Sequence, residues 1–169
     1  MKAKTPSESL TITTKIVLPN QTNPHGNLFG GQLLSWMDEV AVITAQRHSR
    51  RVVVTAAVNN VSFASPVKAS DVVTLEARVP RVFNTSMEIF IDVYVEDHLS
   101  GKRTQHNEAI YTFVAVDQNG APITVPELIP ETELEKERYE GALRRRQLSL
   151  IIAGRMNPKD ATELQKLFL

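Results

Sequence analysis

Apolar and polar side chains alternate over residues 10–18, a period of two that predicts a half-buried β-strand. The apolar face of that strand would carry Leu10, Ile12, Ile16 and Leu18. Pro19 and Asn20 end the strand, and a loop rich in asparagine and glycine follows it. We therefore expect the first element of the fold to be a strand with its apolar face against the core.

From residue 31 to about residue 48 the period changes, and apolar side chains recur every three or four positions, as an α-helix requires. The positions that follow this pattern are Leu33, Leu34, Met37, Val40, Ala41, Thr44 and Ala45. Asp38 and Glu39 are the only formally charged residues from Gly30 to Gln46. A helix so poor in charge should be buried around most of its circumference.

Four further runs are rich in Val, Ile, Thr and Phe and predict strands over residues 52–63, 72–82, 87–96 and 103–116. Pro80 indicates an edge or a bulge near the end of the second run. The connections between the runs are short, which favours antiparallel pairing, because parallel strands need a long crossover. One strand, one buried helix and four strands predict an α+β fold in which a single antiparallel sheet curls around the helix.

The C-terminal part of the chain has a different character. Three prolines at positions 122, 126 and 130 indicate an extended linker, and residues 131–150 read as a surface helix. Acidic residues lie early in that helix and Arg144–Arg146 lie late, an order that complements the helix dipole. Gly154 is a candidate end for the helix, and Asn157 with Pro158 is a candidate start for a last short helix.

Composition narrows the classes of function. The chain has 169 residues, about one domain, with 19 basic and 19 acidic residues. This balance argues against a nucleic-acid-binding protein and against a polybasic membrane-surface protein. The absence of cysteine excludes a disulfide scaffold, a thiolate zinc site and a cysteine nucleophile. With no signal-peptide pattern and no apolar run of bilayer length, we expect a cytoplasmic protein that does not bind membranes.

Common catalytic signatures are missing from the sequence. It contains neither the Gly-x-Ser-x-Gly of a serine nucleophile elbow nor the glycine-rich phosphate loop of nucleotide hydrolases. The four histidines have no spacing typical of a zinc or di-iron site, so we expect no metal. What remains is the segment Asn-Pro-His-Gly-Asn-Leu-Phe-Gly-Gly over residues 23–31, which runs into the helix that carries Asp38.

The glycine pair Gly30–Gly31 at the start of the predicted helix has two explanations. Glycines there let a substrate approach the backbone, and the free amides of the first turn suit a carbonyl oxygen that gains negative charge during acyl transfer. The alternative is that both glycines serve close packing. Asp38 is likewise open to two interpretations: a functional carboxylate, or one of two acidic residues on a narrow solvent-facing stripe.

If both features are functional, the helix rise separates them. Asp38 lies seven residues after Gly31, about 10 Å along the axis. One subunit's Asp38 is then too far from a carbonyl group held at its own helix start. The two features would act together only across subunits, which predicts a two-fold dimer with active sites at the interface.

These residues resemble the hotdog-fold acyl-CoA thioesterases, specifically the cytosolic long-chain acyl-CoA hydrolase group. The resemblance is carried by residues 23–31, by Trp36-Met-Asp-Glu-Val40 with Ala45, and by weaker matches at residues 61–63, 66–67, 71 and 84–88. It covers residues 8–125, which we assign to the hydrolase domain. Residues 126–169 are then a C-terminal linker and helical tail.

The resemblance implies a sheet wrapped around a long central helix, and homodimers formed by edge pairing that assemble into trimers of dimers. It assigns the catalytic pair to Asn23 and Asp38, with Asn27 as the competitor for the asparagine role. Asp38 would be general base or nucleophile, Asn23 would orient water or the carbonyl group, and the Gly31 amide would polarise that carbonyl. His25 is a possible assistant.

The substrate implied by the resemblance is acyl-CoA, so coenzyme A enters as part of the substrate and no separate cofactor is expected. The residues expected to bind it are Arg81, Asn84, Thr85 and Ser86, with Lys68, Arg78 and Arg103 as further cations. For Arg144–Arg146, a role in coenzyme A binding or oligomer contacts is the alternative to the role at the helix end. Two alternatives remain: a non-catalytic acyl-CoA-binding hotdog protein, and a hydratase or dehydratase, which would normally need a histidine paired with an acid near the helix.

Overall fold

The computed structural model describes residues 1–59 and 61–168. A five-stranded antiparallel sheet surrounds one long helix, α1 (Gly30–Ser49), as the hydrophobic pattern predicts. The strands are β1 (Thr11–Ile16), β2 (Val52–Asn59), β3 (Val72–Phe83), β4 (Ser86–Glu96) and β5 (Arg103–Val116). Their order across the sheet is β1-β3-β4-β5-β2, so β1 and β2 are the two edges. The predicted α+β hotdog architecture is confirmed.

The core lies between α1 and the concave face of the sheet. Leu33, Met37 and Val40 of the helix are almost fully buried there. They pack with the inward-facing residues of the central strands, among them Val73, Leu75, Met87, Ile89, Ile91, Tyr111 and Phe113. The helix is therefore buried on most sides, which explains why its sequence is so poor in charge.

The predicted orientation of the first strand is wrong. The register pairs Thr11 with Ala77 and Thr13 with Leu75, and both partners point into the core. Because successive side chains of a strand point to opposite faces, Ile12 and Ile16 lie on the outer face, where they are 56% and 55% exposed. The inner face of this edge strand instead meets the polar end of α1, where Arg47 donates hydrogen bonds to Leu10 O and Thr11 Oγ1.

The predicted strand over residues 52–63 is also too long, because β2 ends at Asn59 and residues 61–66 form a loop. In β3, the register with β4 shifts between Arg78 and Arg81, which confirms a bulge near Pro80.

The C-terminal helix α2 (Glu133–Ile152) begins with Thr132, whose hydroxyl accepts a hydrogen bond from Glu135 N. It contacts β3, and its arginines reach two buried acids of β4. Arg138 forms two hydrogen bonds to Asp92, and Arg145 forms two to Glu88. The arginines at 144–146 therefore do not complement the helix end, which lies at Ile152, and Arg145 instead neutralises a buried carboxylate.

A 3₁₀ turn (Pro158–Asp160) and a short helix, α3 (Thr162–Gln165), follow α2. Asn157 Oδ1 accepts a hydrogen bond from Lys159 N, as the predicted cap requires. The division of the chain at residues 125 and 126 stays a prediction. Across residues 1–59 and 61–168, no helix combines the length and the hydropathy needed to cross a lipid bilayer.

Candidate active site

The start of α1 presents unused backbone donors. Phe29 precedes the helix without a side-chain cap, and its carbonyl oxygen accepts from Gln32 N at 2.9 Å and Leu33 N at 3.3 Å. The amides of Gly30 and Gly31 precede the first intrahelical bond and are among those a helix cannot satisfy itself. Gly31 is exposed. The first turn thus offers N–H groups and the positive end of the helix dipole to a bound oxygen.

The loop before the helix is folded around the side chain of Asn23. Its Oδ1 accepts hydrogen bonds from His25 N at 2.9 Å and Asn27 N at 3.2 Å. Asn23 N also donates to Asn27 O at 2.8 Å, and Gly26 takes the positive φ of 75° that this tight turn needs. Because the loop uses the oxygen of Asn23, the chemical role left to its side chain is that of a donor through Nδ2.

A cavity of about 290 Å³ adjoins this loop and the helix start. Asn23, Asn27 and Gly30 line one side of it. The rest of the lining is mostly apolar and consists of Leu28, Leu33, residues 63–67 and His106. Both asparagines that compete for the catalytic role therefore lie at the same cavity. His25 is exposed and does not line it.

Asp38 lies in the third turn of α1 and is half-buried. Its Oδ1 accepts a hydrogen bond from Thr55 Oγ1 at 2.9 Å. Thr55 belongs to the edge strand β2, immediately before a bulge in its pairing with β5 between Thr55 and Ala57. Sequence reasoning did not select Thr55, although it is the one hydroxyl residue in the run Val-Val-Val-Thr-Ala-Ala-Val. The hydrogen bond from Thr55 fixes the orientation of the Asp38 carboxylate, so Asp38 is not simply a solvent-facing acid.

Tyr111 of β5 lies close enough to Asp38 to feel its charge, and it is almost fully buried. Its hydroxyl donates to Leu34 O at 3.2 Å, one helical turn before Asp38. Burial, and then the negative charge of Asp38, raise the pKa of Tyr111 to about 12. The phenol therefore stays neutral and acts as a donor.

The two parts of the site do not meet within one chain. Asp38 does not line the cavity that contains Asn23 and Gly30, and about 10 Å of helix separates it from Gly31. Asp38 instead lies beside β2, an edge strand whose Val52, Val54 and Val58 are exposed.

The residues expected to bind coenzyme A form the β3–β4 hairpin. Asn84 is exposed and takes a positive φ of 55° at the turn. Thr85 O accepts from Ala115 N at 2.9 Å, and Ser86 is buried with its Oγ 3.4 Å from Phe83 O. Arg81 is already in use, since it stacks 3.9 Å above the ring of Tyr139 and donates to the carbonyl oxygen of that residue.

The further candidate cations differ in availability. Lys68 is exposed. Arg103 is committed to an ion pair with Glu76 at 3.0 Å and to the ring of Tyr94. Arg78 is half-buried beside α2, in a cavity that Arg138 also lines.

Within residues 1–59 and 61–168, one group of three potential metal ligands lies within 4.8 Å: Asp71, Asp97 and His98. Their side chains already make hydrogen bonds within two turns, one at residues 68–71 and one at residues 97–100. Asp97 Oδ1 accepts from Ser100 N and Ser100 Oγ, contacts that lower the pKa of its carboxyl group. Asp71 accepts from Lys68 N and lies 3.1 Å from His98 Nδ1.

Comparison with known proteins agrees with this architecture. Residues 25–102 match the Thioesterase superfamily. An uncharacterised acyl-CoA thioester hydrolase of Bacillus subtilis, YkhA, is 43% identical over 138 residues, which are 82% of this chain and 80% of that protein. An apo-hexameric acyl-CoA thioesterase is similar in structure, with a TM-score of 0.87 and 39% identity over 90% of this chain and 98% of the other.

An acyl-CoA hydrolase of Staphylococcus aureus, solved with butyryl coenzyme A, coenzyme A and coenzyme A disulfide, has a TM-score of 0.82 and 35% identity. The match covers 90% of this chain and 94% of that one. Structures of the same enzyme were also solved with alanine in place of one aspartate, one threonine or one asparagine. The fold, the helix-borne carboxylate and these relationships lead to one conclusion: the chain belongs to the thioesterase superfamily, among its acyl-CoA thioester hydrolases.

Proposed function

We propose that this protein hydrolyses acyl-CoA thioesters to a carboxylic acid and coenzyme A, with Asp38 as the general base. The observation that carries the proposal is the hydrogen bond at 2.9 Å between Thr55 and Asp38, which orients a half-buried carboxylate on the central helix. An aspartate, a threonine and an asparagine are also the residue types replaced in variants of the related S. aureus enzyme.

The thioester carbonyl binds at the start of α1. Its oxygen accepts from the Gly31 amide, and Asn23 Nδ2 supplies a second donor, since Asn23 Oδ1 is held by the loop. These donors are fixed before substrate arrives, so they stabilise the oxyanion of the tetrahedral intermediate with little reorganisation. Cavity-lining Asn27 is the alternative second donor.

Asp38 takes a proton from water as the water oxygen attacks the carbonyl carbon. Thr55 occupies Oδ1, so Oδ2 is the oxygen that receives the proton. Collapse of the intermediate breaks the carbon–sulfur bond, the electron pair leaves on sulfur, and the proton passes from Asp38 to the thiolate or to water. Water is the only co-reactant. Direct attack by Asp38, giving a mixed anhydride, is the other route open to this carboxylate.

Two protomers build each active site in this proposal. Edge strand β2 pairs with its copy around a two-fold axis, which covers the exposed Val52, Val54 and Val58. Asp38 of one protomer then faces the helix start of the other. Because a related thioesterase is hexameric, we further propose that three such dimers associate.

Coenzyme A lies along the β3–β4 hairpin. Exposed Asn84 and the neighbouring Thr85 contact it directly, while buried Ser86 fixes the turn. Arg81 contributes only the guanidinium N–H groups that Tyr139 O does not use. No separate cofactor takes part.

The test is release of free thiol from a panel of acyl-CoAs, followed with a thiol-reactive dye. We expect activity in the wild type and a loss of roughly 100-fold or more in kcat for Asp38→Asn. Glu39→Gln, which neutralises the adjacent exposed acid, is the matched control and should stay near wild type. Full activity of Asp38→Asn would remove the proposed base. No thiol release with retained coenzyme A binding would favour the non-catalytic alternative.

A further inference from the structure

One wall of the cavity is formed by the loop that contains residues 63–67, and two adjacent side chains of β5 hold this loop. His106 Nε2 donates to Ser65 O at 2.7 Å, and Asn107 Nδ2 donates to Ser62 O at 3.1 Å. The two side chains also contact each other, since His106 Nδ1 lies 3.1 Å from Asn107 Oδ1. Two backbone carbonyls of one loop are thus fixed from one place on the sheet.

A β-bulge makes this arrangement possible. In a regular strand, consecutive side chains point to opposite faces of the sheet. Here Asn107 pairs with Val93 while Gln105 pairs with Tyr94, so His106 is the extra residue with no partner on β4. The bulge allows His106 and Asn107 to reach the same loop, and bulges re-aim side chains in this way next to functional sites.

The fixed loop carries Phe63 to the helix start. A Cβ atom added to Gly30 would lie 3.4 Å from Cζ of Phe63, so the ring packs directly on this glycine. The ring is 49% exposed, although it is large and apolar, and it lines the cavity together with Asn23. A half-exposed ring contributes less to the core than a buried one, and its position at the cavity suits contact with a ligand.

We propose that His106 and Asn107 are positioning residues that hold the segment 62–65, and that Phe63 on this segment is the wall that limits the length of the acyl chain. The inference rests on the proposed function and adds the source of its substrate preference. The occupant is the hydrocarbon chain of acyl-CoA, because Leu28, Leu33 and Val67 complete an apolar lining that begins at the proposed carbonyl site.

Three variants test the proposal: Phe63→Ala, His106→Ala and His106→Gln. The quantity measured is the ratio of kcat/KM for palmitoyl-CoA to that for butyryl-CoA. We expect Phe63→Ala to raise this ratio roughly 10-fold, a typical effect of reshaping an apolar pocket. His106→Ala should change the ratio in the same direction by a smaller factor, and His106→Gln, which keeps a donor for Ser65 O, should restore it.

Phe168→Ala is the matched control, because Phe168 is an exposed ring that lies outside the cavity lining. Binding of thioether analogues of the same two acyl-CoAs, measured by calorimetry, repeats the ranking without hydrolysis. Failure of the wild type to release thiol would therefore refute the proposed hydrolysis separately. Unchanged chain-length ratios in Phe63→Ala, or no recovery in His106→Gln, would overturn the assignment of the wall and its two supports.

Discussion

Thr55 of the sheet edge donates its hydroxyl proton to Asp38 of the central helix at 2.9 Å. This contact joins the buried helix to the strand whose side chains are most exposed. It also engages one oxygen of the carboxylate, Oδ1, which in the proposed mechanism leaves Oδ2 to receive the proton of the attacking water. β2 is an edge of the sheet, so in the proposed dimer this contact lies beside the second protomer.

Replacing Thr55 by valine removes the hydroxyl group and keeps the shape of the side chain. We expect Thr55→Val to lower kcat about 10-fold with little change in KM, because the hydrogen bond orients the proposed base, which acts in the chemical step, and makes no contact with bound substrate. Thr74→Val is a matched control, since the Thr74 hydroxyl hydrogen-bonds only to that of Thr14 among the residues that the structure describes. A KM effect without a kcat effect would indicate that Thr55 binds substrate instead.

Tyr111 reports the charge of Asp38. Burial and then the Asp38 carboxylate raise the pKa of Tyr111 to about 12, so we expect it to be the last of the tyrosines to ionise in an ultraviolet alkaline titration. Tyr111→Phe should remove that late step. Asp38→Asn should lower the pKa of Tyr111, because it deletes a neighbouring negative charge. An unchanged late step in Asp38→Asn would contradict the proximity of the two groups.

His48 makes stability depend on pH. Its Nε2 donates to Pro126 O at 2.8 Å, while its buried Nδ1 has no partner among the described residues. Burial lowers the pKa of His48 below its ordinary value of 6.5, and the charge of Lys4 contributes in the same direction. The unfolded chain therefore binds this proton more readily than the folded protein does.

The sign follows from that difference. As the pH falls through 6.5, the unfolded state gains a proton first, and the free energy of unfolding decreases. Equilibrium denaturation from about pH 8 to about pH 5 should show this loss, and His48→Gln, which keeps a donor for Pro126 O, should reduce it. Equal pH dependence in the variant and the wild type would assign the loss to other groups.

The ion pair of Arg138 and Asp92 anchors α2 to the sheet. Both distances are 2.9 Å, and the Asp92 side chain is only 4% exposed. Arg138→Met should lower the free energy of unfolding by about 3 kcal/mol, because it leaves a buried carboxylate without its partner. Lys136→Met breaks an exposed pair and should cost less than about 1 kcal/mol. Asp92→Leu combined with Arg138→Met should recover most of the loss.

The periodicity of α1 predicted its burial correctly. A helix with apolar side chains on most of its circumference is stable only where other elements cover it, and here the sheet does so. The same reasoning failed for β1. Alternation identifies two faces but not which of them the register turns inward, and pairing with β3 placed Thr11 and Thr13 on the inner face. The register depends on residues 56 to 66 positions away in the sequence, so the local pattern does not contain it.

The candidate site divides in a similar way. Gly31 and Asp38 stand out locally, since each is unusual for its position in the helix. His106 reaches its partner from a bulge in β5, and Thr55 reaches Asp38 beside a bulge in β2; both contacts depend on strand pairing and not on the local sequence. The predicted role of Arg145 at the helix end was wrong because its acidic partner, Glu88, lies 57 residues away on β4, beyond the reach of any local pattern.

In the proposed mechanism, each thioester is hydrolysed by Asp38 of one protomer and the helix start of another. Its most direct test is co-expression of Asp38→Asn and Asn23→Ala chains carrying different affinity tags. Each variant alone should release almost no thiol from acyl-CoA. In a random mixture half of the dimers are mixed, and one of their two sites is intact, so activity should recover to about a quarter of the wild type. Purified mixed dimers with no more activity than either parent would refute an active site shared between protomers.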